Sequence, residues 1–463
     1  MIELELETAN NSMAIQELSS ISDNLSKGEA YLSNSSSSPE DEDDTSTAAY
    51  GLYLRLPELS KLWSSREFPS WRNESILKPA LQALEITFRF ISIALSDPRP
   101  YANHLQWERR LESLAAREIE LIAAFCEEED LLGGGAPVTG LSSSEGVLPR
   151  DRSSHEVWRI PGTSRAVVNR TSEASLLPRL AAWQRSEDVA TKIAYQIESQ
   201  MRRCAFTLGL GEPNLTGKPP LEYDLVVRPL DLHLLQKSPS ESRNSRDFEN
   251  EKLFSIHQIS ESWLHAAGEL LSRIDERIDG RDWAKAASDC WILERIWRLL
   301  EGLEELHLLM DPDDFLRLKS QLGIRPSCGT ASLARITCAS RDLKGRVPWV
   351  LGVEADPSGG PRVQESAMEL FRCRHRGEEG NIGKIDLLQA FQAIEVAVRG
   401  FYFGYRQVIV AVMGSLEASG NRSPFLPPES LDSLSQLFLE PPYFPSLDAA
   451  KTFLGDFWQN RRQ

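Results

Sequence analysis

From Tyr50 onward, apolar residues return every three or four positions over long stretches, which is the period of an amphipathic helix. Residues 75–96 carry the stripe Ile76, Ala80, Ala83, Thr87, Phe90 and Ala94. Asp97-Pro98 ends it, because a proline disfavours helical backbone at the preceding residue. A second helical pattern covers 105–129 and a third about 172–204. Further on, 250–278 carries Leu253, Ile256, Ser260, Trp263, Ala267, Leu270 and Ile274, and 282–308 carries Trp283, Ala287, Cys290, Leu293, Trp297 and Leu300. Asp279-Gly280 between them predicts the turn of an αα-hairpin. The longest stripe runs over 384–413: Leu387, Phe391, Ile394, Val398, Phe401, Tyr405, Val408 and Val412.

Breakers divide these patterns. Residues 133–170 are rich in Gly, Ser and Pro and predict a long loop, while 323–362 predicts irregular chain with a short strand or hairpin near Val347–Val353. No fixed repeat of about 20–50 residues is present. The fold class expected is mainly α, a multi-helix bundle. A helical N-terminal unit over 50–206 is followed by a linker at 207–220 and a C-terminal helical domain over 221–463.

Charge changes the picture at the N-terminus. The chain of 463 residues has a net charge of −17. Residues 1–49 hold eleven Asp and Glu, a single Lys (Lys27) and eleven Ser. So polar and charged a segment predicts a disordered tail, because it cannot bury enough apolar surface to offset chain entropy. Its net charge of −10 leaves only −7 on the remainder. The acidic balance argues against nucleic acid and against an anionic membrane surface as partners. No apolar run reaches the roughly 18–20 residues of a bilayer span. Six cysteines without a CxxC spacing suggest thiols in a reducing compartment. The expectation is a soluble cytoplasmic protein, present in the nucleus as well in one reading.

Catalytic signatures are few. No phosphate-binding loop, dinucleotide fingerprint, HExxH or GxSxG occurs. His257 and His265 stand eight apart on one helix, roughly 80° around it, with no third ligand close in sequence. His257 falls four residues after Leu253 and is expected on the buried side, bonded to a neighbour. The tryptophans of 263–297 have the spacing of core packing. Tyr405 lies on the inward stripe of its helix, so its hydroxyl needs a partner: a carbonyl, a water or a ligand.

Several segments carry a family resemblance: YLRLPELSKLW (53–63), ILKPALQALEITFRFIS (76–92), LGLGEPNL (208–215), LHLLMDPDDFL (306–316) and SLDAAKTFLG (446–455). In these the chain resembles the plant nematode-resistance-protein-like family, HSPRO. The resemblance implies a stress- and defence-responsive regulator supporting basal disease resistance, with no established enzymatic activity. It also implies binding to regulatory subunits of an energy-sensing protein kinase.

The second half is also similar to tryptophan 2,3-dioxygenase, an all-helical haem enzyme. The similarity runs through LFSIHQISESWLHAAGELL (253–271), LHLLMDPDDFLRLKSQL (306–322) and LLQAFQAIEVAVRGFYFGYRQVIVAVMGS (387–415). That resemblance places the distal histidine on His257 and the substrate-carboxylate arginine on Lys319, which lacks the bidentate fork of a guanidinium. The haem-ligating histidine falls on Tyr405, and the two substrate loops on 326–330 and 417–423 have lost their pattern. A phenolate ligand favours ferric iron. The expectation is a retained scaffold without catalytic residues, no resident metal and no cofactor, with haem or another small molecule in a degenerate pocket of His257, Lys319 and Tyr405 as the alternative.

Overall fold

The computed structural model describes residues 50–99, 102–127, 135–138, 157–159, 166–168, 171–214, 218–236, 248–311, 330–354, 360–372, 379–413 and 441–460. The expected tail, Lys319 and the 417–423 loop lie outside the described residues.

The elements, in chain order, begin with α1 (Leu56–Ser64), α2 (Glu74–Ser96) and α3 (His104–Cys126). Two three-residue strands follow, β1 (Val157–Arg159) and β2 (Ala166–Val168), paired antiparallel with Trp158 opposite Val167. Next come α4 (Leu177–Ala181), α5 (Glu187–Gln200), α6 (Tyr223–Val227) and α7 (Pro229–Leu235). Then follow α8 (Phe248–Asp279), α9 (Trp283–Glu304), a 3-10 turn (Glu305–Leu309), α10 (Ala331–Asp342) and α11 (Val347–Leu351). The last are α12 (Pro361–Arg372), α13 (Glu379–Met413) and α14 (Pro445–Asn460).

Four helices make an antiparallel bundle. At one end of α2, Asn73 donates to the carbonyl of Phe125 at the end of α3 (3.1 Å) and accepts from Arg273 of α8 (2.7 Å). At the other end of α2, Asp97 accepts from Lys252 near the start of α8 (3.0 Å). Helix α9 turns back from α8 through Gly280 and Arg281, the latter at φ 60°, and Asp282 caps it by accepting from the Lys285 amide (3.4 Å). Helices α3 and α9 close the square through Arg110–Glu305 (2.7 Å) and Arg295–Glu120 (3.0 Å). Helix α13 runs parallel to α9 on its outer side. A Cβ on Gly383 would stand 3.2 Å from Ala284 N and Trp283 Cβ, and one on Gly404 would stand 3.1 Å from the Glu301 carboxylate. Bare backbone at both ends therefore sets the approach of the two helices.

The packing bears on three expectations. In the stretch expected as a linker, Leu208 and Leu210 are buried and the backbone amides of Gly209 and Leu210 donate to the buried Glu212 carboxylate, while residues 50–463 form one compact unit. Both sides of that stretch feed a common core because α2 packs along α8. The strand near Val347 is the short helix α11, started by Pro348 in its first turn and stopped by Gly352 at φ 72°. The loop over 133–170 contains the β1–β2 pair. No described helix is long and apolar enough to cross a membrane.

Candidate functional site

A cluster of polar side chains lies within the bundle around His257. Helix α8 brings Asn250, Phe254, His257, Gln258 and Glu261 to one side, at the three- and four-residue spacing that aligns side chains on a helix. The first residues of the compact unit lie along this side. Tyr53 donates to Asn250 Oδ1 (2.7 Å), and Gln258 Nε2 donates to the carbonyl of Leu54 (3.1 Å). The Tyr50 hydroxyl stands 3.2 Å from His257 Nδ1, with the two rings edge to face at 5.6 Å.

Behind His257 lies His307, its ring 5.7 Å away centroid to centroid. The 3-10 turn after α9 positions it: His307 Nδ1 is 2.9 Å from the Glu304 carbonyl and 3.3 Å from the carboxylate of the same residue. Glu261 completes the group. Burial raises its carboxyl above the usual carboxylate range, against hydrogen bonds from Ser332, Thr330 and Tyr50 and the nearby charge of Arg335. Burial also pushes the Tyr50 phenol well above its ordinary value, and Glu261 and Glu304 push it further. Two histidines, two carboxyls and a phenol thus gather in the interior, where polar groups are costly unless paired.

Tyr405 is packed differently. It is 3% exposed on α13, and its ring stacks on Phe401 at 6.3 Å and 14°. Phe401 in turn meets Trp297 at 5.5 Å, and the neighbouring Tyr402 hydroxyl is 2.7 Å from Thr337 Oγ1. Among the described residues no group of three or more His, Cys, Asp or Glu side chains is placed to hold a metal ion. His265 is stacked on Trp63 at 4.9 Å, and burial lowers its pKa.

Of the residues singled out by sequence, the structure joins His257 to Tyr50 and His307, buries Tyr405 with its ring against Phe401, and does not describe Lys319. Trp263 and Trp297 are core residues, whereas Trp291 is 37% exposed and donates to Asp386 (3.0 Å). Tyr50, Glu261, Glu304 and His307 were missed. The signal available for Glu261 was its position one helical turn after His257; Tyr50 and His307 reach the site only through tertiary contacts.

Comparisons with known proteins bear on the whole chain. Residues 1–198 match the family model described as Hs1pro-1 N-terminus, and residues 201–460 match the one described as Hs1pro-1 protein C-terminus. A protein of Arabidopsis thaliana, Nematode resistance protein-like HSPRO2, is 48% identical over 423 residues, covering 89% of this chain and 88% of the relative. A second, Nematode resistance protein-like HSPRO1 from the same plant, is 46% identical over 437 residues, covering 92% and 94%. No solved structure matches the chain, so the dioxygenase likeness rests on the sequence segments alone.

Proposed function

The chain belongs to the Hs1pro-1 family, and from that premise we propose that it is a non-enzymatic regulator of plant defence whose helical body acts by binding protein partners. A defence-related role follows from the relatives, which match nearly end to end and are named for nematode resistance. That match is the observation that carries the reading. The site chemistry supports it: His257 meets Tyr50, His307 meets Glu304, and Tyr405 is buried with its ring against Phe401. Catalysis needs groups aimed at a place where substrate can sit.

The partner we propose is the regulatory subunit of an energy-sensing protein kinase, bound by the body that begins at Tyr50 rather than by the acidic tail. Immobilised full-length chain is expected to capture the purified regulatory subunit, and failure to do so removes this partner. The non-enzymatic part has its own test. Protein incubated with haem, tryptophan and oxygen is expected to give no kynurenine-type product, and turnover above a heat-treated control overturns that part.

A further inference from the structure

Between α3 and α9 the surface opens into a cleft of about 400 Å3. An interhelix ion pair bridges each end, Arg110–Glu305 at one and Arg295–Glu120 at the other. The two bridges are ten residues apart along each helix, hence about 15 Å from each other. Leu121 and Leu299, both almost wholly buried, provide an apolar floor. Arg298 in the wall is held by Glu294, one turn back on its own helix (2.5 Å).

Two charges lining the cleft are not spoken for. Arg117 and Glu301 have no ion-pair partner among the described residues, and they do not pair with each other. Glycines explain how they are placed. A Cβ on Gly302 would lie 2.7 Å from Arg117 Nη1, so the guanidinium rests where any larger residue would put its side chain. Glu301 lies over Gly404 of α13, at the contact described above. One cleft is therefore lined by a guanidinium and a carboxylate without ion-pair partners among the described residues, over Leu121 and Leu299 and between two bridged ends.

We propose that this cleft binds a free α-amino acid with an apolar side chain. The guanidinium of Arg117 takes the ligand's carboxylate, for which its planar fork is suited. Glu301 takes the ammonium, and the side chain lies on Leu121 and Leu299. A simple anion would meet Glu301 and the rim carboxylates, and a simple cation would meet Arg117. The volume falls within the roughly 300–1,000 Å3 usual for small-ligand pockets, which favours a small molecule over a protein segment. This inference is independent of the kinase-binding reading.

The test is calorimetric titration of the full-length protein with L-leucine as probe. The comparison ligands are 4-methylpentanoate, which lacks the ammonium, and 3-methylbutylamine, which lacks the carboxylate. Saturable binding of leucine is expected, with each half-ligand at least about tenfold weaker. Arg117→Gln and Glu301→Gln, both at solvent-accessible positions and checked for folding by circular dichroism, are each expected to weaken leucine about tenfold. Gly302→Leu fills the cleft and is expected to abolish binding. The proposal is overturned by an absence of saturable heat with leucine, by a half-ligand binding as tightly as leucine, or by unchanged affinity in the Arg117 and Glu301 variants.

Discussion

Two buried titratable side chains show how single residues govern this molecule. Glu118 on α3 is fully buried in the bundle; Trp263 donates to one of its oxygens (2.9 Å), and the other looks toward the Thr87 hydroxyl. Burial raises its pKa, the two neighbours lower it less, and the result is about 8. The folded state therefore holds a proton that the unfolded chain releases near pH 4. The stability this lends is full below about pH 4 and declines as pH rises toward 8. Glu118→Gln should flatten that decline in urea titrations across this range; an unchanged slope would count against a neutral Glu118. Lys252 is the opposite case, fully paired. It donates to Asp97 and Glu249 (both 3.0 Å), and Arg99 reaches the same two carboxylates. Burial alone would raise the Asp97 carboxyl, but hydrogen bonds from Arg99 and Lys252 outweigh it and bring it to about 2. This stabilisation is complete above about pH 4 and disappears as pH falls through 2. Lys252→Met leaves two carboxylates to Arg99 alone and should cost roughly 3–5 kcal/mol by chemical denaturation. Neither role could be read from sequence. Residue types were visible, but Glu118 meets Trp263, and Lys252 meets Asp97, only because of packing between helices distant in the chain.

Helical elements were far more legible, because their signal is local. The stripes at 75–96, 250–278 and 384–413 correspond to α2, α8 and α13, with Asp97-Pro98 and Asp279-Gly280 marking real ends. The pattern over 172–204 was read as continuous, yet it is split into α4 and α5 by the turn at Trp183–Ser186, where the Ser186 hydroxyl donates to the Leu180 carbonyl (2.8 Å). Short apolar runs were the weak point: Val347–Leu351 fits strand or helix by composition, and Pro348 in the first turn decides for helix. What periodicity cannot show is how closely two helices approach. Gly383 is such a place, since a larger residue there meets backbone of Ala284 rather than a movable side chain. Gly383→Val should push α13 from α9 and destabilise by about 1–3 kcal/mol, read as a lowered denaturation midpoint. An unchanged midpoint would mean the helices have slack at that contact.

For the molecule as a whole, the sequence suggested two helical domains and the fold joins them, because α2 and α3 pair with α8 and α9 to complete one bundle. A breaker-rich stretch such as 207–220 looks like a linker by composition, but within it Glu212 accepts from the amides of Gly209 and Leu210 beside the buried Leu208 and Leu210. The same joining bears on function. If the body recognises a protein partner, it does so as one unit starting at Tyr50, and the acidic tail modulates rather than creates the interaction. The measurement that tests this most directly is the solution affinity of the kinase regulatory subunit for three forms of the protein: the full chain, residues 50–463 and residues 1–49. The account predicts that the full chain and the body bind within about threefold of each other, while the tail alone shows no saturable binding. Binding by the tail with none by the body, or none by any form, would contradict it.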